Sequence, residues 1–391
     1  MSKFQFAIPT RIHFGSGEIE KVGQLVSRFG KKPIVVTGKS SMKQTGILEK
    51  IVNNLKQQKI ESVIFDRVKP NPDCELIDQG ASLAGKKNCD VVIGLGGGSA
   101  IDAAKCVAVA AANRMPIWEC VNKKTFGLNK EVKEGIPLVA IPTTAGTGSE
   151  VDKFAVLTNQ ETKEKPGVGS PFFYPKLSII DPQLTISLPR ETTVFTGLDT
   201  FFHGIEALLS NRSSIMSDLF AESAVKLVVE NLPIVKTDPN NVIAREKMAF
   251  ASLMGGIAMD QAGNILIHAM EHPLSGHFDI SHAEGLMALW QPVMEFIQGS
   301  DSGKTLKIAG MLGADLSNLS PEEIHFRVIR EINNFFKIFN ITLKEIAVTE
   351  DMIGKLCEDA LNTMGYTIKG NPKPVGIQDI ENIYRKALRI K

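Results

Sequence analysis

Short apolar runs alternate with amphipathic stretches over the first ~185 residues of the chain. Four apolar runs are predicted to be strands, at 33–38, 62–65, 90–94 and 137–142. Between them, apolar residues recur at helical spacing, for example over 40–59 and 75–87. Strands that alternate with helices predict a parallel sheet covered by helices on both faces. Runs that are apolar throughout are typical of strands buried on both sides.

The pattern changes in the second half of the chain. Residues 177–193 contain Pro182 and Pro189 and are predicted to form a linker. Beyond them no run resembles a strand, and apolar residues recur at helical spacing, as at 221, 224, 225, 228 and 232. We therefore predict two domains, an α/β domain over 1–185 and an all-helical domain over 186–391.

Composition and charge exclude several classes of partner. The chain has 44 Lys plus Arg and 43 Asp plus Glu, a net charge of +1, which gives no electrostatic reason to expect nucleic acid or a membrane surface. Residues 1–15 do not have the pattern of a signal peptide, and no apolar run reaches the ~20 residues of a membrane span. The five cysteines are scattered, as is usual for reduced thiols. We predict a soluble, cytoplasmic protein.

A glycine-rich segment follows the third predicted strand. Gly94, Gly96, Gly97 and Gly98 precede a helical run that reaches residue 112. A strand that turns through glycines into a helix presents free backbone N–H groups and the positive end of the helix dipole, which suit a pyrophosphate. The spacing is not G-x-G-x-x-G, because Ser99 stands where the last glycine would be. A phosphate site is therefore better supported than a standard Rossmann topology.

Five of the seven histidines lie between residues 203 and 282. Asp199 and His203 are four residues apart and share a helix face, as do His268 and His272, and His282 follows. Three imidazoles and a carboxylate, without a thiolate, suit Fe²⁺ or Zn²⁺. The alternative is a set of hydrogen-bonded core histidines. The remaining histidines, at 13, 277 and 325, are expected at the surface.

These segments together resemble the iron-containing (group III) alcohol dehydrogenases, and the resemblance runs nearly from end to end. The matching segments are PNP at 70–72, GGGSAIDAAK at 96–105, PTTAGTGSEV at 142–151, IIDPQLTISLP at 179–189, GLDTFFHGIEALLS at 197–210, HAMEHPLSGHFDISHAEG at 268–285 and NPKPVGIQDIENIYRKAL at 371–388. Their order and spacing are more specific than any single segment.

The resemblance implies a dehydroquinate synthase-like fold, with an N-terminal nucleotide-binding domain built on a parallel sheet and an all-α C-terminal metal-binding domain. It places the active site in the cleft between them, and it implies a homodimer. The implied metal ligands are Asp199, His203, His268 and His282. His272 then lies beside the metal as a catalytic residue. The implied cofactor-binding residues include Gly97, Gly98, Ser99, Asp102, Thr143, Thr144, Thr147 and Lys165.

Two departures from the family pattern bear on specificity. Many NAD-linked members carry an aspartate where this chain has Gly38, followed by Lys39, Ser40 and Ser41. Without that carboxylate, a 2′-phosphate meets no repulsion and can bind the lysine and the hydroxyls. We therefore predict that these four residues bind NADP(H) in preference to NAD(H). The second departure, Asp152-Lys153, affects the lining of the cleft.

The resemblance implies an alcohol dehydrogenase or aldehyde reductase that transfers hydride between NADP(H) and a small primary alcohol or aldehyde, with the metal as a Lewis acid. Two alternatives share the scaffold, a glycerol dehydrogenase-like polyol oxidoreductase and a dehydroquinate synthase-like lyase. A non-catalytic binding protein is a third. The complete ligand set and the glycine-rich loop argue against the third alternative.

Overall fold

The computed structural model describes residues 3–300, 302–316, 319–341, 343 and 346–389. The chain forms two compact units. Ala7–Pro189 form the sheet unit, and the chain from Arg190 onward, with the N-terminal segment up to Phe6, forms the helical unit. The predicted fold class is confirmed, since a parallel sheet is followed by helices.

The sheet unit is built on six parallel strands in the order β1-β10-β7-β4-β2-β3. These strands are β1 (Arg11–Phe14), β2 (Pro33–Gly38), β3 (Val63–Val68), β4 (Val91–Gly96), β7 (Leu138–Pro142) and β10 (Leu177–Ile180). Two small antiparallel pairs join β5 (Val121–Asn122) to β6 (Gly127–Leu128), and β8 (Phe154–Val156) to β9 (Gly167–Gly169). Helices cover the sheet, so its central strands are apolar on both faces.

Six helices and four short 3₁₀ turns complete this unit. The helices are α1 (Val22–Val26), α2 (Ser41–Gln44), α3 (Ile47–Gln57), α4 (Cys74–Lys86), α5 (Gly98–Asn113) and α6 (Ile117–Cys120). The 3₁₀ turns are Glu18–Lys21, Lys123–Thr125, Pro171–Phe173 and Pro182–Thr185. Alternate residues of β2 divide between two cores: Ile34 and Val36 pack with α4 and α5, and Val35 packs with α1 and α3.

Two sequence predictions in this unit are wrong in detail. The segment predicted as the start of a linker contains β10, whose residues are all buried between β1 and β7. The four-residue run Leu177–Ile180 is short and lies close to prolines, which hid it. The helix predicted over 40–59 is broken at Gly46, which has φ 73° and separates α2 from α3.

The helical unit contains nine α-helices and no strand among its described residues. They are α7 (Arg190–Leu209), α8 (Ile215–Thr237), α9 (Val242–Ala262), α10 (Leu266–Phe278), α11 (His282–Phe296), α12 (Ser302–Met311), α13 (Pro321–Lys337), α14 (Glu350–Ile368) and α15 (Ile377–Leu388). Over the described ranges, none of the helices combines the length and apolar character required to cross a membrane.

Candidate functional site

Three helices of the helical unit carry the residues predicted to bind metal. Asp199 and His203 lie one turn apart on α7, and His268 lies in the first turn of α10. His282 is the first residue of α11, whose start is fixed by a capping box between Ser281 and Glu284. Each candidate ligand therefore lies on a helix, which holds its backbone rigidly.

The three imidazole rings converge on one carboxylate oxygen of Asp199. The Nε2 atoms of His203 and His268 each lie 3.5 Å from Asp199 Oδ1, and that of His282 lies 3.6 Å from it. Ligand atoms of Asp199, His268 and His282 also lie within 4.8 Å of one another. Ligands about 2.1 Å from a tetrahedral metal are separated by about 3.4 Å. These separations fit Asp199, His268 and His282 as three donors around one divalent ion. His203 lies outside that group of three but is next to Asp199.

The environment of these atoms also fits a cation. Among the described residues, the buried atoms Asp199 Oδ1 and His268 Nε2 have no hydrogen-bond partner. Burial opposes ionisation of Asp199, but the surrounding histidines hold its pKa well below the usual value. Burial likewise opposes a charge on His268, yet the carboxylates of Glu206 and Asp199 raise its pKa to about 10. Burial lowers the pKa of the neighbouring His203 to about 4, so its ring is held neutral, as a metal ligand requires. The nitrogen and oxygen donors of the site suit iron or zinc.

Two buried glutamates bond to the rings of candidate ligands, and sequence reasoning missed both. Glu206 of α7 bonds to Nδ1 of His268 and accepts hydrogen bonds from the backbone N–H groups of Ile265 (2.8 Å) and His268 (3.4 Å). Glu271 of α10 bonds to Nδ1 of His282. Each bond leaves Nε2 of the ring directed at Asp199. The available signal was a carboxylate in an apolar helix, three residues after a candidate ligand.

His272 lies beside these residues. Its ring centroid is 5.8 Å from that of His282, and its side chain is buried. Of the histidines expected at the surface, His277 is partly buried and its Nε2 lies 2.8 Å from Asp359 Oδ2. The expectation for His325 is wrong, because it is 4% exposed and lies on the inward side of amphipathic α13.

In the sheet unit, the glycine-rich segment forms a turn from β4 into α5. Gly96 has φ 144°, a backbone conformation that other residues rarely adopt. Gly97 is the N-cap of α5, and Gly98 and Ser99 form its first turn. The backbone N–H groups at this end are the ones that a helix leaves for an anion.

The threonine-rich loop after β7, residues 143–148, packs against this turn. The N–H of Thr143 donates to the carbonyl of Gly96 at 2.9 Å. A β-carbon at Gly97 would lie 3.1 Å from Thr144 Cγ2, and one at Gly98 would lie 2.5 Å from Thr147 Cγ2. The structure thus brings together two loops whose residues are implied, by the family resemblance, to bind the cofactor.

A buried group of charges lies behind these loops. We call Asp102, Lys105, Ser149 and Asp152 the Lys105 network. Lys105 Nζ donates to Asp152 Oδ1 and to the carbonyl of Phe154, both at 2.6 Å. Burial raises the pKa of Asp152 to about 7, although the charge of Lys105 acts in the opposite direction. Asp152, at which the chain departs from the family pattern, therefore has its counter-charge inside the sheet unit.

Asp102 belongs to the same network. Its two carboxylate oxygens accept hydrogen bonds from the hydroxyl of Ser149 (2.5 Å) and the backbone N–H of Val156 (3.0 Å). Through Ser149, Asp102 holds the end of the threonine-rich loop in place. Its contact with a cofactor stays a prediction. Lys165 is buried before β9.

The residues predicted to select the dinucleotide lie at the C-terminal end of β2. Gly38 ends the strand, and the side chains of Lys39, Ser40 and Ser41 are exposed. Gly38 is close to Ser41, since a β-carbon there would lie 3.9 Å from Ser41 Oγ. An open groove next to them is lined by the basic residues Lys39, Lys43, Arg67 and Lys69 and by the acidic residues Asp66, Asp73 and Glu75. This end of the sheet therefore offers hydroxyls and cations, with carboxylates in the same groove.

Comparison with known proteins gives consistent matches. A family model for iron-containing alcohol dehydrogenase matches residues 9–182, and a model for the C-terminal domain of the Fe-containing alcohol dehydrogenase family matches 193–388. The NAD-dependent methanol dehydrogenase of Bacillus methanolicus is 31% identical, over 98% of this chain and 99% of its own. The 1,3-propanediol dehydrogenase of Klebsiella pneumoniae is 32% identical, over 98% of each. A solved archaeal halo-thermophilic alcohol dehydrogenase from a Red Sea brine pool is 34% identical, with a TM-score of 0.93 over 99% of this chain and 100% of that one.

Proposed function

Because the chain belongs to the iron-containing alcohol dehydrogenase family, we propose that it transfers hydride between NADP(H) and a small primary alcohol or aldehyde, with Fe²⁺ or Zn²⁺ as its metal. The observation that carries the proposal is the convergence of three imidazole Nε2 atoms on Asp199 Oδ1. The relatives that are named methanol and 1,3-propanediol dehydrogenases support the substrate class.

When bound, the metal supplies a Lewis acid for the substrate oxygen, and the nicotinamide gives or accepts the hydride. Asp199, His203, His268 and His282 hold the metal in this proposal. Glu206 and Glu271 orient two of the rings through Nδ1. The backbone N–H groups at the start of α5 bind the pyrophosphate.

His272 is the proposed proton carrier. It is a buried imidazole next to the ligand His282 and outside the group that meets Asp199 Oδ1. A ring nitrogen of His272 takes the proton that leaves the alcohol during oxidation and returns it during reduction.

The cofactor preference rests on the end of β2. Gly38 adds no carboxylate there, and Lys39 and Ser41 offer a cation and a hydroxyl to a 2′-phosphate. Lys43 faces the same groove, although its ammonium forms an ion pair with Asp66. Several relatives are named for NAD or NADH, so this is a point on which the chain is proposed to differ from them.

The decisive experiment measures initial rates of NADPH and NADH consumption with a panel of short aldehydes, using protein loaded with Fe²⁺ or with Zn²⁺. We expect stoichiometric oxidation and a kcat/KM for NADPH at least roughly 10-fold above that for NADH, the equivalent of one charge-assisted hydrogen bond. G38D, which restores a carboxylate, should reverse the preference. Equal or better use of NADH contradicts the NADP(H) assignment, and a bound dinucleotide without stoichiometric turnover points to a lyase. A homodimer and a cytoplasmic location stay predictions, and light scattering tests the first.

A further inference from the structure

Glu271 has a contact that the ligand set by itself does not require. Its side chain is 0% exposed and bonds to Nδ1 of His282, on the next helix. A fully buried carboxylate is costly unless its partners compensate for the lost hydration. The position of Glu271 beside a candidate metal ligand therefore suggests a role in the metal site.

Helix α11 leaves space for this carboxylate. A β-carbon at Gly285 would lie 2.7 Å from Cγ of Glu271 and 3.1 Å from its Oε1. Gly285 lies on α11, three residues after His282, so one helix supplies both the ring and the gap. A glycine inside a helix costs about 1 kcal/mol relative to alanine, which here is offset by room for the glutamate.

His282 is the most exposed of the three candidate ligand histidines. It is the first residue of α11, whereas His203 lies inside its helix, and its side chain is 30% exposed against 5% for His203. The first turn of a helix also carries a positive potential, which disfavours a nearby cation. The negative carboxylate of Glu271, on the far side of the ring, counters that potential. It accepts a hydrogen bond from Nδ1–H, which leaves Nε2 unprotonated and able to bind metal.

We propose that Glu271 is a positioning residue that fixes the tautomer and orientation of His282 and thereby raises the affinity of the site for a divalent ion. This inference rests on the proposed function, because it takes His282 to be a metal ligand. Glu206 acts in the same way on His268, so two carboxylate–imidazole pairs flank Asp199. Together with Asp199 they place three carboxylates at the site, which strengthens its attraction for a cation.

The experiment compares full-length wild type with E271Q, after chelation and reloading with Co²⁺. Glutamine keeps the size of the side chain and removes its charge. We expect Co²⁺ affinity, measured by competition with a chelator, to fall roughly 10- to 100-fold. The visible spectrum of the Co²⁺ protein should also change, because the ligand field at His282 changes. A purely structural role for Glu271 would leave that spectrum unaltered.

D359N is the matched control. Asp359 is a buried carboxylate of the same unit that bonds to a different imidazole, that of His277, at 2.8 Å. We expect this variant to lose stability and to keep the Co²⁺ affinity and spectrum of wild type. If E271Q does not fold, G285A serves as the second variant, because its β-carbon displaces the carboxylate without removing it.

The possible results are distinct. Wild type that binds no Co²⁺ at the site overturns the proposed function itself. Wild type that binds tightly, with E271Q or G285A matching it in affinity and spectrum, overturns only the role of Glu271. A loss of affinity in D359N equal to that in E271Q also overturns that role, since any buried carboxylate would then have the same effect.

Discussion

In the sheet unit, Lys105 Nζ lies 2.6 Å from Asp152 Oδ1. In the helical unit, Asp199 Oδ1 and His268 Nε2 lie 3.5 Å apart, and neither atom has a hydrogen-bond partner among the described residues. The two regions bury similar chemical groups. In the Lys105 network each charge has an opposite charge or a hydrogen bond inside the protein. Around Asp199, three imidazole nitrogens converge on one carboxylate oxygen, an arrangement that the proposed metal ion would satisfy. The first arrangement supports a scaffold, and the second is the proposed binding site for a ligand.

This contrast predicts that removing a group from each region damages a different property. Loss of a donor around Asp199 should remove metal and activity and leave the fold. Loss of a charge from the Lys105 network should destabilise the sheet unit and leave metal binding in the helical unit.

H268A should remove metal and activity together. The variant loses one of the donors to the metal, and Lewis-acid stabilisation of the reacting oxygen contributes several kcal/mol, so kcat/KM should fall at least roughly 1,000-fold. Elemental analysis and steady-state kinetics measure the two losses, and far-ultraviolet circular dichroism tests whether the fold is kept. A variant that is inactive but still fully metal-loaded would contradict His268 as a ligand.

K105M should destabilise the sheet unit by about 3–5 kcal/mol, because it leaves the buried carboxylate of Asp152 without a counter-charge. The two tryptophans, Trp118 and Trp290, lie in different units, so Trp118 fluorescence in a W290F background follows urea unfolding of the sheet unit. Metal content should not change. The double variant K105M/D152N removes both charges and should recover most of the loss. Equal losses in the single and double variants would show that charge is not the cause.

H272A should slow turnover roughly 100-fold, the lower range for loss of a general acid–base group, while the metal content stays at the wild-type level. His272 lies beside the residues that converge on Asp199 and not among them, so it distinguishes chemistry from metal binding. Kinetics and elemental analysis of the same preparation give both values. Loss of metal in H272A would make His272 a ligand.

S149A should have the smallest effect. The variant removes one donor to Asp102 Oδ1 and keeps the hydrogen bond from Val156, so we expect a loss of about 1–2 kcal/mol in stability. Because Ser149 follows the threonine-rich loop, dinucleotide affinity measured by fluorescence titration should fall severalfold. A dinucleotide affinity equal to that of wild type would separate the Lys105 network from the cofactor loops.

Sequence patterns were most informative where a local rule decides the structure. The continuous apolar run at Pro33–Gly38 predicted β2 with the correct ends, because a strand buried on both faces needs no alternation. The run at Leu177–Ile180 follows the same rule but is only four residues long and precedes Pro182, so the pattern there predicts a linker instead. Its place between β1 and β7 depends on pairing with residues more than 30 positions away along the chain.

The metal site shows the same division. Helical spacing was enough to put Asp199 and His203 on one face, and the resemblance supplied His268 and His282. Glu206 and Glu271 could not be found in this way, because each contacts a ring on a different helix and nothing within their own helices requires that contact. Likewise, the sequence showed Asp152 as a departure, and only the structure showed Lys105 beside it.

The donor set around Asp199 consists of imidazole nitrogens and a carboxylate oxygen and contains no thiolate sulfur. Sites of this kind bind divalent ions in the Irving–Williams order, so Zn²⁺ and Cu²⁺ are held more tightly than Fe²⁺. The metal carried by the protein therefore reflects which ions its surroundings supply during synthesis. Protein overproduced in a zinc-rich medium should contain zinc even where the native ion is iron.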